Sequence, residues 1–180
     1  MDTQKLIDRV IRVARLDTAI YGEVEDDALA TTQAGAVVLL AVLAAAIGGI
    51  QAEQPMATFV LGLIVTLLGW ALWMGAIWGV ANYILTESAT HASYWGFART
   101  VGFAAVPGVA LIGAILPGMV GAVVFLAVNA WWVATTTLAV QQCLYYGDLI
   151  RSAIVVTVGW VVQVMVVQVF VFDALIGIAA

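Results

Sequence analysis

TVGFAAVPGVALIGAILPGMVGAVVFLAVNAWWVATTTLAVQQCLYYG, residues 100–147, holds no Asp, Glu, Lys or Arg across its 48 positions, and its length decides the fold. As one helix it would measure roughly 72 Å, whereas the hydrocarbon core of a bilayer is about 30 Å thick. The run must therefore break. Pro117 followed by Gly118 supplies the break, because proline lacks the N–H that would continue a helix. Two spans follow, near 101–116 and 119–145. The first is short and contains Pro107.

Residues 28–52, 54–86 and 152–172 are equally free of charged side chains, and each exceeds the roughly 20 residues a transmembrane helix needs. Val37, Val38, Leu39, Leu40, Val42, Leu43, Ile47 and Ile50 together favour insertion by roughly 2–5 kcal/mol. One mid-span Asp or Arg, at about 3 kcal/mol, would cancel most of that. The whole chain is 64% apolar and 9% charged, against roughly 45–50% and 25% in soluble domains. The predicted architecture is an all-α integral membrane protein, a five-span helical bundle with spans near 30–50, 56–85, 101–116, 119–145 and 152–172. The last is rich in valine, yet a lone strand in hydrocarbon would leave its amides unpaired, so it too is read as a helix.

Ahead of this membrane domain, 28–180, lies a polar region, 1–27. Leu6, Ile7, Val10, Ile11 and Ala14 recur at helical spacing with Lys5, Asp8, Arg9, Arg12 and Arg15 between them, an amphipathic helix that either lies on a membrane surface or packs on its own domain. An acidic stretch follows, Asp17, Glu23, Glu25, Asp26 and Asp27, with Tyr21 inside it. Asp26 or Asp27 is expected to cap the first span. A polar loop is expected from Thr86 to Arg99. No cleaved leader is expected, because about 30 polar residues precede the first apolar run. Five spans with the amino terminus inside place Lys5, Arg9, Arg12, Arg15, Arg99 and Arg151 all on the cytoplasmic side, which predicts a multi-pass membrane protein with its amino terminus in the cytoplasm.

Chemistry-bearing constellations are sparse. A net charge of −5 argues against nucleic acid as partner. Cys143 is alone, so no disulfide or multi-cysteine metal site is expected. Glu87 and His91 are four apart in a polar loop, but two ligands make a poor metal site, and neither metal nor cofactor is expected. The spans offer no Ser–His pair or intramembrane aspartate dyad, so no catalytic residue is assigned and an enzyme is not expected. Gly75 and Gly79 form a small-xxx-small pair, read as packing within the bundle or as a homodimer face, with bundle packing favoured. In the fourth span Asn129 and Thr136 share one face, Thr137 and Gln141 an adjacent one, with Trp131 and Trp132 at its middle and Trp70 and Trp73 at the middle of the second span. Gln163 and Gln168 add polar groups to the fifth. These read as cross-helix hydrogen bonds and packing, or as the wall of a polar path or substrate groove.

Three segments carry a family resemblance. RLDTAIYGEVEDDALATTQA at Arg15–Ala34, RTVGFAAVPG at Arg99–Gly108 and WWVATTTLAVQQCLYY at Trp131–Tyr146 resemble the corresponding parts of prokaryotic Yip-domain proteins, relatives of the Ypt-interacting proteins. The resemblance implies five spans, a cytosolic amino terminus, a prokaryotic cytoplasmic membrane as location and no known reaction. Eukaryotic members act in Golgi and endoplasmic reticulum traffic and bind Rab-type GTPases through a long cytosolic region without counterpart among the residues ahead of the first span here. The expected function is that of a non-enzymatic membrane-organising or partner-recruiting factor, with the bilayer and a membrane or cytosolic protein as partners. Its expected working surface is Asp17, Tyr21, Glu23, Glu25 and Asp27 with Arg99 and Arg151, the acidic groups pairing with the two arginines. A lipid or small-solute conduit, scramblase- or transporter-like, is the alternative.

Overall fold

A computed structural model describes residues 2–50, 53–84, 93–144 and 147–179, with side chains at all of these except 84 and 168–179. Among them there is no strand. Two short helices, α1 (Thr3–Ala14) and α2 (Ala19–Asp26), precede α3 (Ala30–Gly48), α4 (Pro55–Gly79), α5 (Tyr94–Ala104), α6 (Met119–Cys143) and α7 (Leu149–Ala179). A π-helical turn, Val80–Ile84, prolongs α4, and a 3-10 segment, Val106–Ile115, prolongs α5.

Five of these units are long and apolar enough to cross a bilayer: Ala30–Gly48, Pro55–Tyr83, Tyr94–Ile115, Met119–Cys143 and Leu149–Val167. The valine-rich fifth is helical, because in hydrocarbon the need to pair every amide outweighs local propensity. Its helix does not stop near residue 172 but runs on to Ala179. Large exposed side chains such as Leu40, Ile64, Leu68, Phe125 and Leu126 face the region that lipid would fill.

The third span shows how a short, proline-bearing segment crosses. Sixteen α-helical residues rise roughly 24 Å, too little for a core of about 30 Å. A 3-10 helix rises about 2.0 Å per residue, so the 10 residues Val106–Ile115 alone cover roughly 20 Å. Pro107 sits in the first turn of that segment, where its missing N–H costs nothing. The switch from α to 3-10 frees the Ala104 carbonyl, and the buried Thr135 hydroxyl of α6 donates to it at 2.8 Å. The helix also starts earlier than expected. Ser93 caps it, its hydroxyl accepting from Gly96 N at 2.9 Å, so Tyr94 to Arg99 are helix rather than polar loop.

The glycines that permit close packing are not the expected pair. Among the described residues a Cβ at Gly75 or Gly79 would meet nothing within 4 Å, so neither glycine is needed for the approach of a described helix, against the expectation of packing within the bundle. The tight crossings lie elsewhere. At Gly108 a Cβ would stand 2.6 Å from the Trp132 ring, and at Gly159 it would stand 2.7 Å from Ile77.

Candidate functional site

Two places gather functional side chains: a charged cap over one end of the bundle and a cavity within it.

The cap is built by α1, which lies against α2, α5 and the 3-10 segment. Asp2 starts α1 by accepting from the amides of Gln4 and Lys5. Arg9, on the inward side of α1, is 1% exposed. Its Nε and Nη2 donate to Glu23 Oε1 at 3.0 and 2.9 Å, Nη2 also to Asp27 Oδ2 at 2.7 Å, and Nη1 to Gln33 Oε1 of α3 at 2.6 Å. The guanidinium carbon lies 5.9 Å from the centre of the Phe103 ring. Arg12 donates to Asp17 and Glu23, both at 2.8 Å, and Lys5 to Asp27 at 2.9 Å. A buried charge needs this kind of complete pairing to be tolerated.

Several expectations are corrected here. Asp17, Glu23 and Asp27 pair with the basic side chains of α1, not with Arg99 and Arg151. Arg99 instead donates from Nε to the Val24 carbonyl at 3.0 Å and from Nη2 to the Glu25 carbonyl, a cation closing the carboxyl end of α2 where the helix dipole favours it. Arg151 lies in the first turn of α7, half-buried. Asp27 does not cap α3, whose cap residue is Leu29. Its Oδ1 accepts from Leu29 N at 2.9 Å in the turn before the helix. Tyr21 is fully buried, and its hydroxyl has no partner among the described residues. A buried phenol cannot present itself to a partner. The apolar stripe of α1 divides: Leu6, Val10 and Ala14 pack on the core, while Ile7 and Ile11 stay exposed.

Four acids of the cap, Asp17, Glu23, Glu25 and Asp27, titrate away from their usual values. The Arg12 hydrogen bond, helped by the Ala19 amide, holds Asp17 low. Arg9 and then Lys5 pull Asp27 well below the carboxylate range. Burial pushes Glu23 up, but its bonds to Arg9 and Arg12 prevail and leave it lowered. Glu25 goes the other way, raised by burial despite a hydrogen bond with Cys143.

The cavity lies deeper, between α3, α4, the 3-10 segment, α6 and α7, with a volume of about 800 Å³ and one side partly open. Trp70, Trp73, Trp132 and Trp160 form much of its wall, and Thr66, Asn129 and Gln163 are its polar side chains. Among the described residues nothing ionisable lines it. Trp73 and Trp132 meet edge to face, their ring centres 6.3 Å apart, and the Trp73 indole N–H donates to the Val156 carbonyl at 3.1 Å. The indole N–H groups of Trp70 and Trp132 are buried with no partner in the described chain, which in hydrocarbon costs about 1–3 kcal/mol each.

Of the expected polar and aromatic positions of the fourth span, the cavity takes Asn129 and Trp132. Trp131 and Gln141 are half-buried outside it, and Thr136 is buried with no partner for its hydroxyl among the described residues. Cross-helix bonding is not what the neighbouring groups do: Asn129 Nδ2 and the Thr137 hydroxyl both donate at 2.8 Å to carbonyls one turn back in α6, those of Phe125 and Val133. Gln163 lines the cavity, as does Trp160, which the sequence reading passed over. Helical spacing alone cannot tell a tryptophan facing a neighbouring helix from one facing lipid. Glu87 and His91 lie outside the described residues, as do the side chains of Gln168 and Asp173. Among the described residues no three His, Cys, Asp or Glu side chains converge on a metal position.

No protein-family model, curated protein or solved structure matches this chain. The geometry of cap and cavity is therefore what bears on function.

Proposed function

We propose that this chain is a non-enzymatic, Yip-like multi-pass protein that admits a lipid or small uncharged solute from the bilayer into its bundle, with its amino terminus on the cytoplasmic face of a prokaryotic membrane. The cavity carries this reading. Ligand sites are typically concave, about 300–1,000 Å³, mostly apolar and supplied with a few placed polar groups, and this one meets all four conditions. The recruiting reading loses ground because three of the four acids assigned to a partner, Asp17, Glu23 and Asp27, are already bonded to α1. It keeps one support, the exposed edge of α1 at Ile7 and Ile11.

Reconstitution into liposomes tests the proposal. Purified protein is expected to accelerate either transbilayer movement of a labelled glycerolipid or leakage of a small uncharged solute, by about tenfold or more over protein-free vesicles. Rates equal to those of empty vesicles, combined with capture of a partner that depends on Ile7 and Ile11, would establish recruitment instead.

A further inference from the structure

Gly69 of α4 and Gln163 of α7 meet at the cavity wall. A Cβ at Gly69 would stand 2.9 Å from Gln163 Nε2, so the glycine leaves the room in which that side-chain amide rests. Asn129, from α6, lines the same cavity. One hydrogen of its amide is committed to the Phe125 carbonyl, which leaves Oδ1 as an acceptor. Three helices thus bring two uncharged amides to one apolar space at membrane depth. An amide both donates and accepts, and a group it binds in hydrocarbon must do the same or leave an atom unpaired.

We propose that the cavity binds a neutral, hydroxyl-bearing lipid, held by the amides of Asn129 and Gln163 with its apolar chain along the tryptophans. The proposal rests on the reading of the cavity as a ligand site and names the ligand class. Charge excludes the commoner alternatives. A phosphate or carboxylate would enter a space lined by no cation, and an isolated ion there costs far more than an amide can return. A head with acceptors alone, such as a methyl ester, would leave Asn129 Oδ1 without a donor. A hydroxyl satisfies both sides. It is carried equally by a diacylglycerol and by a long-chain alcohol, and the two are separate arms of the test.

The test is native mass spectrometry of the full chain released from detergent micelles, with dioleoylglycerol, oleyl alcohol, methyl oleate, oleate and octadecene as competing probes. Dioleoylglycerol or oleyl alcohol is expected to bind about tenfold more tightly than methyl oleate, octadecene or oleate, and whichever does so identifies the source. Gln163→Leu, Asn129→Leu and Gly69→Ala are each expected to weaken that probe about five- to tenfold. Gly69→Ala is the most telling, since it displaces the Gln163 amide without removing it. Trp95→Phe, at an exposed aromatic remote from the cavity, should leave affinity unchanged. Octadecene binding as well as the alcohol, oleate binding best, or three variants with wild-type affinity would overturn the ligand class while leaving a ligand site. Absence of binding by all five probes would overturn both.

Discussion

Replacing Arg9 by Met is expected to free α1 from the bundle while the spans remain folded. Methionine fills similar space without charge, so the loss isolates the bonds to Glu23, Asp27 and Gln33. Glu23 and Asp27 are partly exposed, with side chains 39% and 21% accessible, and water would take up much of what they lose. The Gln33 carbonyl is buried and would be left unpaired. A cost to α1 docking of about 2–3 kcal/mol follows. Hydrogen exchange reads it as a roughly 30- to 150-fold loss of protection over α1, with α3 and α6 unchanged. Wild-type protection over α1 would show that its apolar side, Leu6, Val10 and Val13, holds it unaided.

Acid should act on the same contacts. Asp17, Glu23 and Asp27 all titrate lower in the folded chain. Their contribution is therefore complete above the unfolded carboxylate range, about pH 4, and fades as the pH falls through their depressed values. Glu25, raised by burial, opposes this weakly because the fold favours its protonated form. Below about pH 4 protection over α1 is expected to fall in wild type and to fall less in Arg9→Met, which has already lost the Arg9 bonds and keeps only the Arg12 and Lys5 pairs. Protection that holds as the acids protonate would mean the ion pairs contribute nothing measurable.

The second large effect is expected at Gly48→Ala. A Cβ there would collide with the backbone oxygen of Leu111 and stand 3.3 Å from Ala114 Cβ. Backbone cannot step aside as a side-chain tip does, so α3 and the 3-10 segment must separate, at a cost of about 3 kcal/mol or more. A clearly lower melting temperature in detergent and poorer recovery of monodisperse protein are the readouts. Gly75→Ala and Gly79→Ala, whose Cβ atoms meet nothing, are expected to be neutral or to gain up to about 1 kcal/mol from helix propensity. The hierarchy fails if Gly75→Ala costs as much as Gly48→Ala. Dissociation of an oligomer by either of the α4 substitutions would instead locate a homodimer on that face.

Legibility in the sequence followed the range of the physics. Hydropathy acts on each residue wherever its neighbours lie, so four uncharged runs and a Pro–Gly break were enough to count the spans and to overrule the strand propensity of α7. The valine-rich run and the 48-residue run were settled by length against bilayer thickness alone. Partnership is different. Whether Glu23 meets Arg9 or Arg99 depends on which side of α1 turns inward, and periodicity showed the charges of α1 as its outer side when Arg9, with Val13, is one of its two buried residues.

Insertion, helicity and the number of crossings were thus determined by the chain's own segregation of oil and charge, a sum over residues that needs no coordinates. Which glycines permit contact, which acids bind which bases, and where five helices leave about 800 Å³ between them were decided only by tertiary packing. These depend on distances between residues remote in sequence, and those are set by the bundle as a whole.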